Sequence, residues 1–177
     1  MNSAPTLRTE RLVLRQLLAA DAEALNAAMS DAMLMTWWSS APHETLAQTE
    51  AYVARNAELR DGWRCWAITT DGAQALGWVV LIEKRAGVHE VGYILARTAW
   101  GKGLAREAVG MVVDHAFEVL RLRRVFADVD PDNAGSIRLL EALGFEREGC
   151  LRAEWETHIG VRDSLIFARL TTPDRLT

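Results

Sequence analysis

Apolar and polar positions along this chain follow two different periods, and the switches between them delimit its elements. "RLVLRQL" (Arg11 to Leu17) alternates and is rich in branched residues, which predicts a first strand. Asp21 then stands at a helix start, ahead of a run to about Ser30 with Ala22, Leu25, Ala28 and Met29 on one face. A second helical pattern runs from about Glu44 to Arg60, with Gly62 ending it. "CWAITT" and "ALGWVVLIEK" predict two strands of a hairpin with Asp71-Gly72 in its loop, and "HEVGYILA" (His89 to Ala96) predicts a third. From Leu104 to Leu120 the helical period returns, with Leu104, Ala108, Val112, Ala116 and Val119 forming a face suited to lie on a sheet. "RRVFADVD" is the next strand. "NAGSIRLLEALGF" is a helix opened by Asp132 or Asn133 and closed by Gly144. Glu146 to Leu170 holds one or two closing strands, of which "SLIFARL" is the clearest. This order, without repeats or linkers, predicts a single α/β domain over residues 1–177 with its core at about 8–170.

Composition narrows the function classes. Half of the 177 residues are apolar and a quarter charged, a globular balance with room for a substantial core. The N-terminus lacks a basic-then-apolar signal pattern, and no apolar run approaches the roughly 20 residues that span a bilayer, so a cytoplasmic protein without a membrane partner is expected. A net charge of −4 argues against a nucleic-acid partner held through phosphates. Cys65 and Cys150 form no C-x-x-C motif and make a poor disulfide framework, and no His/Cys/Asp grouping has metal-site spacing, so no metal is expected.

The chemistry concentrates at "WGKGLAREA" (Trp100 to Ala108), where two glycines precede a helix that would ordinarily begin with Ser, Thr, Asp or Asn. A helix N-terminus offers unpaired N–H groups and a partial positive charge, and glycines let a phosphate reach the backbone. Gly101-Lys102-Gly103 therefore reads as a pyrophosphate cradle. It is no Walker loop, because Leu104 and Ala105 follow, and no Rossmann fingerprint, because Arg106 takes the third glycine's place.

The loop resembles the acetyl-CoA pyrophosphate motif Q/R-x-x-G-x-G/A of the GNAT N-acetyltransferase superfamily, written here from Trp100 to Ala105, with Trp in place of the first polar residue. About thirty residues on, "DPDNAGSIRLLEALGF" resembles the family's N-x-x-S-x-x-L-L-E-x-L-G-F segment, with Asn133, Ser136, Leu140, Gly144 and Phe145 at matching places. With "TERLVLRQL" and "HEVGYIL" the resemblance covers nearly the whole chain. It implies a mixed central sheet flanked by helices, with a splayed central strand forming the acetyl-CoA cleft. It further implies that Ile94, Leu95 and Ala96 offer backbone to the thioester and pantetheine, and that Gly101, Lys102, Gly103, Leu104, Ala105 and Arg106 take the pyrophosphate. Asn133 would contact pantetheine or fix its loop, and Ser136 would protonate the leaving thiolate.

The resemblance is to the branch of ribosomal-protein N-terminal acetyltransferases. It implies direct transfer of acetyl to a primary amine, with a protein N-terminus as first acceptor and a small amine or antibiotic as second. A domain that binds acyl-CoA without chemistry is the competing reading. An α-amino group titrates near 8 and lysine near 10.4, so freeing the lysine amine costs about 3 kcal/mol more. A weak base suffices for an N-terminus, and Glu90 is the first candidate, with His89 beside it; on one strand the two point to opposite faces. Trp37 and Trp38 either line the acceptor site or serve packing and loop cover, and Trp155 and His158 belong to a late hairpin that could read substrate. His43 and His115 read as surface or helix-face residues, and Cys150 as packing. A homodimer is compatible with such a domain, and no stretch marks an interface.

Overall fold

A computed structural model describes residues 3–171. A two-residue strand β1 (Leu7–Arg8) and β2 (Val13–Gln16) lead to helix α1 (Ala22–Met29), a single turn α2 (Ala32–Met35) and α3 (Leu46–Ala57). Strands β3 (Trp63–Thr69), β4 (Gly77–Arg85) and β5 (Val88–Leu95) follow, then α4 (Leu104–Glu118), β6 (Arg124–Val129), α5 (Ala134–Ala142) and the long hairpin β7 (Glu146–Thr157) and β8 (Gly160–Leu170). The eight strands form one sheet in the order β1-β2-β3-β4-β5-β6-β8-β7. Every pairing is antiparallel except β5 with β6.

The expected α/β architecture is present, and the expected strands and helices appear in the expected order. β1 is too short to leave a periodic signal. The α2 turn forms because the Asp31 carboxylate accepts from the N–H groups of Met33 and Leu34 at 3.0 and 3.2 Å, a local cap and not a periodic face. α3 begins at a Thr45–Gln48 capping box and stops at Ala57, short of the expected Arg60, because Glu58 turns out of helical geometry. Both cysteines are free, Cys65 buried and Cys150 exposed.

Alternation along the strands builds two cores. Trp66, Ile68, Val79, Leu81, Val91 and Leu95 face α4 and α5, whereas Cys65, Ala67, Trp78, Val80 and Ile94 face α1 and α3. His89, on the α4 side by the same alternation, and His115 of α4 are both buried, and each has a ring nitrogen without a hydrogen-bond partner. Burial holds both imidazoles below their ordinary value of 6.5; Arg64 adds to the effect on each, and Glu83 opposes it at His89. The unfolded chain binds more protons than the folded one below that value, so this part of the stability is present above pH 6.5 and lost as pH falls. Each histidine can contribute up to about 1.4 kcal/mol per pH unit over that window. Thermal melts between pH 7.5 and 5.5 should show a midpoint falling by several degrees, and His89→Gln with His115→Gln should flatten that slope.

Candidate active site

The sheet comes apart at its one parallel pairing. β5 pairs with β4 along its whole length, but with β6 only through Val88, His89 and Glu90, opposite Arg124, Val125 and Phe126. Beyond Glu90 the strands diverge, so the backbone N–H and C=O groups of Val91 to Leu95 that face β6 have no strand partner. The Leu95 carbonyl is taken by the Trp100 indole N–H, and the remaining groups are open to a ligand or water.

A cavity of about 630 Å³ opens at this fork. Its floor is Tyr93, Ile94 and Leu95, its far wall comes from α5 and its cap, and its end is the turn into α4. Gly101 and Gly103 there have φ of 73° and 74°, a left-handed backbone that side chains disfavour, and Gly103 is the N-cap of α4 with no side-chain cap. A β-carbon at Gly101 would meet nothing within 4 Å, so the space over the loop is open. The first N–H groups of α4 point into that space, with Arg106 and Arg138 on the lining. Arg11 steadies the turn from β2's side: its Nη1 donates to the Lys102 carbonyl at 2.8 Å and its Nε to Glu107 at 2.7 Å. Trp100, where the motif lacks its polar residue, donates its indole N–H to the Leu95 carbonyl at 2.7 Å and so ties the loop to the end of β5.

Of the expected acetyl-CoA residues, Ile94, Leu95, Gly101, Gly103, Leu104, Ala105, Arg106, Asn133 and Ser136 line this cavity; Ala96 and Lys102 are adjacent in the chain but not on the lining. The Lys102 amine donates to the Thr98 carbonyl. Asn133 spends its side-chain oxygen on capping α5, accepting from the Ser136 N–H at 3.1 Å, which leaves its amide N–H groups for a ligand. Tyr93 was not singled out by its sequence position. Its buried hydroxyl has no well-formed hydrogen bond; burial pushes the phenol up to about 12, with the adjacent Ser136 hydroxyl opposing.

A second cavity, of about 430 Å³, shares Trp37 and Trp38 with the first. Aromatic side chains wall it: Tyr52, Trp63, Trp78 and Trp155 join the two shared tryptophans. Trp38 meets Trp78 edge-on at 5.9 Å and donates its indole N–H to the Tyr52 hydroxyl at 2.9 Å, so this wall is preassembled. Trp37 and Trp38 thus border both cavities instead of serving only as loop cover. Glu90, Asp128, Asp130, Glu156 and Asp163 put five carboxylates on the lining against one cation, Arg162. Glu90 is ion-paired with Lys84 at 2.7 Å. Trp155 reaches in because β7 shifts register between Leu151 and Trp155, with Ala153 at φ 52°. His158 does not line either cavity. No group of three or more His, Cys, Asp or Glu that could hold a metal occurs among the described residues. No helix among them is long and apolar enough to cross a membrane.

The family model for the acetyltransferase (GNAT) domain matches residues 11–146. An uncharacterized N-acetyltransferase of Bacillus licheniformis, p20, is 35% identical over 152 residues, 83% of this chain and 85% of that protein. The spermidine N(1)-acetyltransferase of Vibrio cholerae is 28% identical over 152 residues, covering 82% and 84%. Among solved structures, a GNAT-family acetyltransferase from Bacillus anthracis superposes with a TM-score of 0.83 at 24% identity, over 94% of this chain and 98% of that one.

Proposed function

The chain belongs to the GNAT acetyltransferase family, and from that premise we propose that it transfers acetyl from acetyl-CoA, held in the first cavity, directly to a primary amine entering the second. The observation that carries this reading is the fork itself. Two cavities of different chemistry, one phosphate-seeking and one aromatic and acidic, share Trp37 and Trp38 beside the freed backbone of β5.

Acetyl-CoA supplies an activated acetyl carbon on a good leaving sulfur, and the residues present fit it. Gly101, Gly103 and the α4 N-terminus take the pyrophosphate, with Arg106 and Arg138 adding charge. The β5 backbone donors beyond Glu90 face the thioester oxygen, where they oppose the charge that develops during attack. Ser136, beside a phenol that keeps its proton at neutral pH, is the proton donor toward the sulfur. The ammonium's proton leaves to a carboxylate of the second cavity, where Glu90 was the expected base. The cavity's size and tryptophan walls favour a small amine over a protein N-terminus.

The test is thiol release from acetyl-CoA by the purified chain against arylalkylamines, polyamines, aminoglycosides and N-terminal peptides. Release dependent on one acceptor class, with the product's mass raised by one acetyl group, is the expected result. Calorimetric binding of acetyl-CoA with no release across the panel would sink the transfer reading in favour of a binding module.

A further inference from the structure

We propose that Asp128 seats the acceptor's ammonium and takes its proton, and that the acceptor is a small, singly charged primary amine with an aromatic body. This rests on the reading that the amine is acetylated from the second cavity. Asp128 lies on β6 two residues beyond Phe126, the register partner of Glu90, so the two carboxylates line the same cavity from the two strands that part there. Their surroundings differ. Glu90 already has a cationic partner in Lys84. Asp130 is held by Arg162 through two bonds of 2.7 and 2.9 Å. Asp128 has no ion pair among the described residues: it accepts from the Trp155 indole N–H at 2.8 Å and from the Ser164 hydroxyl, both neutral donors. Those bonds fix the carboxylate in place without cancelling its charge. A carboxylate has about four acceptor sites, so roughly two remain for an ammonium.

The walls specify the rest of the molecule. An ammonium on Asp128 stands beside Trp155 in a cavity also walled by Trp37, Trp38, Tyr52, Trp63 and Trp78, and such rings attract a cation through their faces and stack on a flat apolar body. Trp78 is 1% exposed, lines the cavity, and its indole N–H has no hydrogen-bond partner. A second ammonium would have only a weaker seat, because Glu90 and Asp130 are paired and Glu156 and Asp163 are exposed, where an ion pair is worth little. In the reaction, Asp128 takes one proton from the ammonium and passes it to water. The freed nitrogen bonds to the acetyl carbon as the carbon–sulfur bond breaks, and a second nitrogen proton ends on the sulfur by way of Ser136.

The experiment compares 2-phenylethylamine, spermidine and an N-terminal tetrapeptide as acceptors for the full chain, for Asp128→Asn and for Glu90→Gln. Expected is a kcat/KM for phenylethylamine at least about 10-fold above the other two. Asp128→Asn should lower it by about 1000-fold, within the range of a lost general base, while Glu90→Gln costs under about 10-fold. The asparagine keeps an oxygen for Trp155 or Ser164, and near-ultraviolet circular dichroism of the tryptophans checks its fold. Quenching of tryptophan fluorescence by phenylethylamine should be saturable in the parent and lost in Asp128→Asn, with calorimetric acetyl-CoA affinity unchanged. A preference for spermidine or peptide overturns the proposed class, and a larger loss in Glu90→Gln overturns the role of Asp128. Bound acetyl-CoA with no amine acetylated overturns the transfer reading instead.

Discussion

Gly103→Glu is expected to weaken acetyl-CoA binding by about 100-fold or more, about 2.8 kcal/mol, in a chain that still folds. Two effects combine. Any β-carbon at φ 74° strains the backbone by about 1–2 kcal/mol, part of which the loop can relieve by losing the geometry that aims its N–H groups. The carboxylate then occupies the positive end of α4, where the pyrophosphate is proposed to lie, and repels it. It also approaches Arg11, whose Nη2 would stand 3.6 Å from the new β-carbon, and competes with Glu107 for that guanidinium. Gly103→Asn separates the terms, since asparagine tolerates the left-handed conformation and adds no charge. Isothermal calorimetry should find the asparagine variant within about 10-fold of the parent. Equal affinity of parent and glutamate variant would show that the phosphates lie elsewhere.

Much of the candidate site was legible because local rules place it. Two glycines before an apolar helix have few uses, and Asn133 three residues ahead of Ser136 is both a cap and a family signature. Strand alternation also separated Glu90 from His89, and the two do stand on opposite faces, Glu90 on the lining of the second cavity. What stayed out of reach depends on which strands meet. Asp128 sits in "FADVD" without any local feature; it becomes notable only when β6 pairs with β5 and then leaves it. The aromatic wall draws Trp38, Tyr52, Trp63, Trp78 and Trp155 from five elements or loops, and no period along the chain links them. Even the ion pair that sets Glu90 apart joins it to Lys84 across a hairpin whose register shifts between Glu83 and Arg85.

Gly77→Ala should be the most damaging small substitution in the sheet, and its effect should reach the first cavity. Gly77 pairs with Leu95 at the start of β4, and a β-carbon there would lie 2.1 Å from the Ile94 carbonyl oxygen and 2.8 Å from the Leu95 α-carbon. Both obstacles are backbone, so no side chain can turn aside; β5 itself must move. Overpacking of this kind costs about 3 kcal/mol, or about 6–12 °C of thermal midpoint in a chain of this size. The displaced segment carries the Leu95 carbonyl that anchors Trp100 at 2.7 Å, and Trp100 immediately precedes the two cradle glycines. Acetyl-CoA affinity should therefore fall by about 10-fold or more even at temperatures where the variant is folded. Gly149→Ala is the matched control, because a β-carbon there meets nothing within 4 Å and its φ is not left-handed; it should change stability by less than about 0.5 kcal/mol. If Gly77→Ala lost stability yet bound acetyl-CoA like the parent, the end of β5 and the glycine loop would be mechanically independent. The Trp100 anchor would then be packing alone, and the cradle would be set by Arg11 and α4 without help from the sheet.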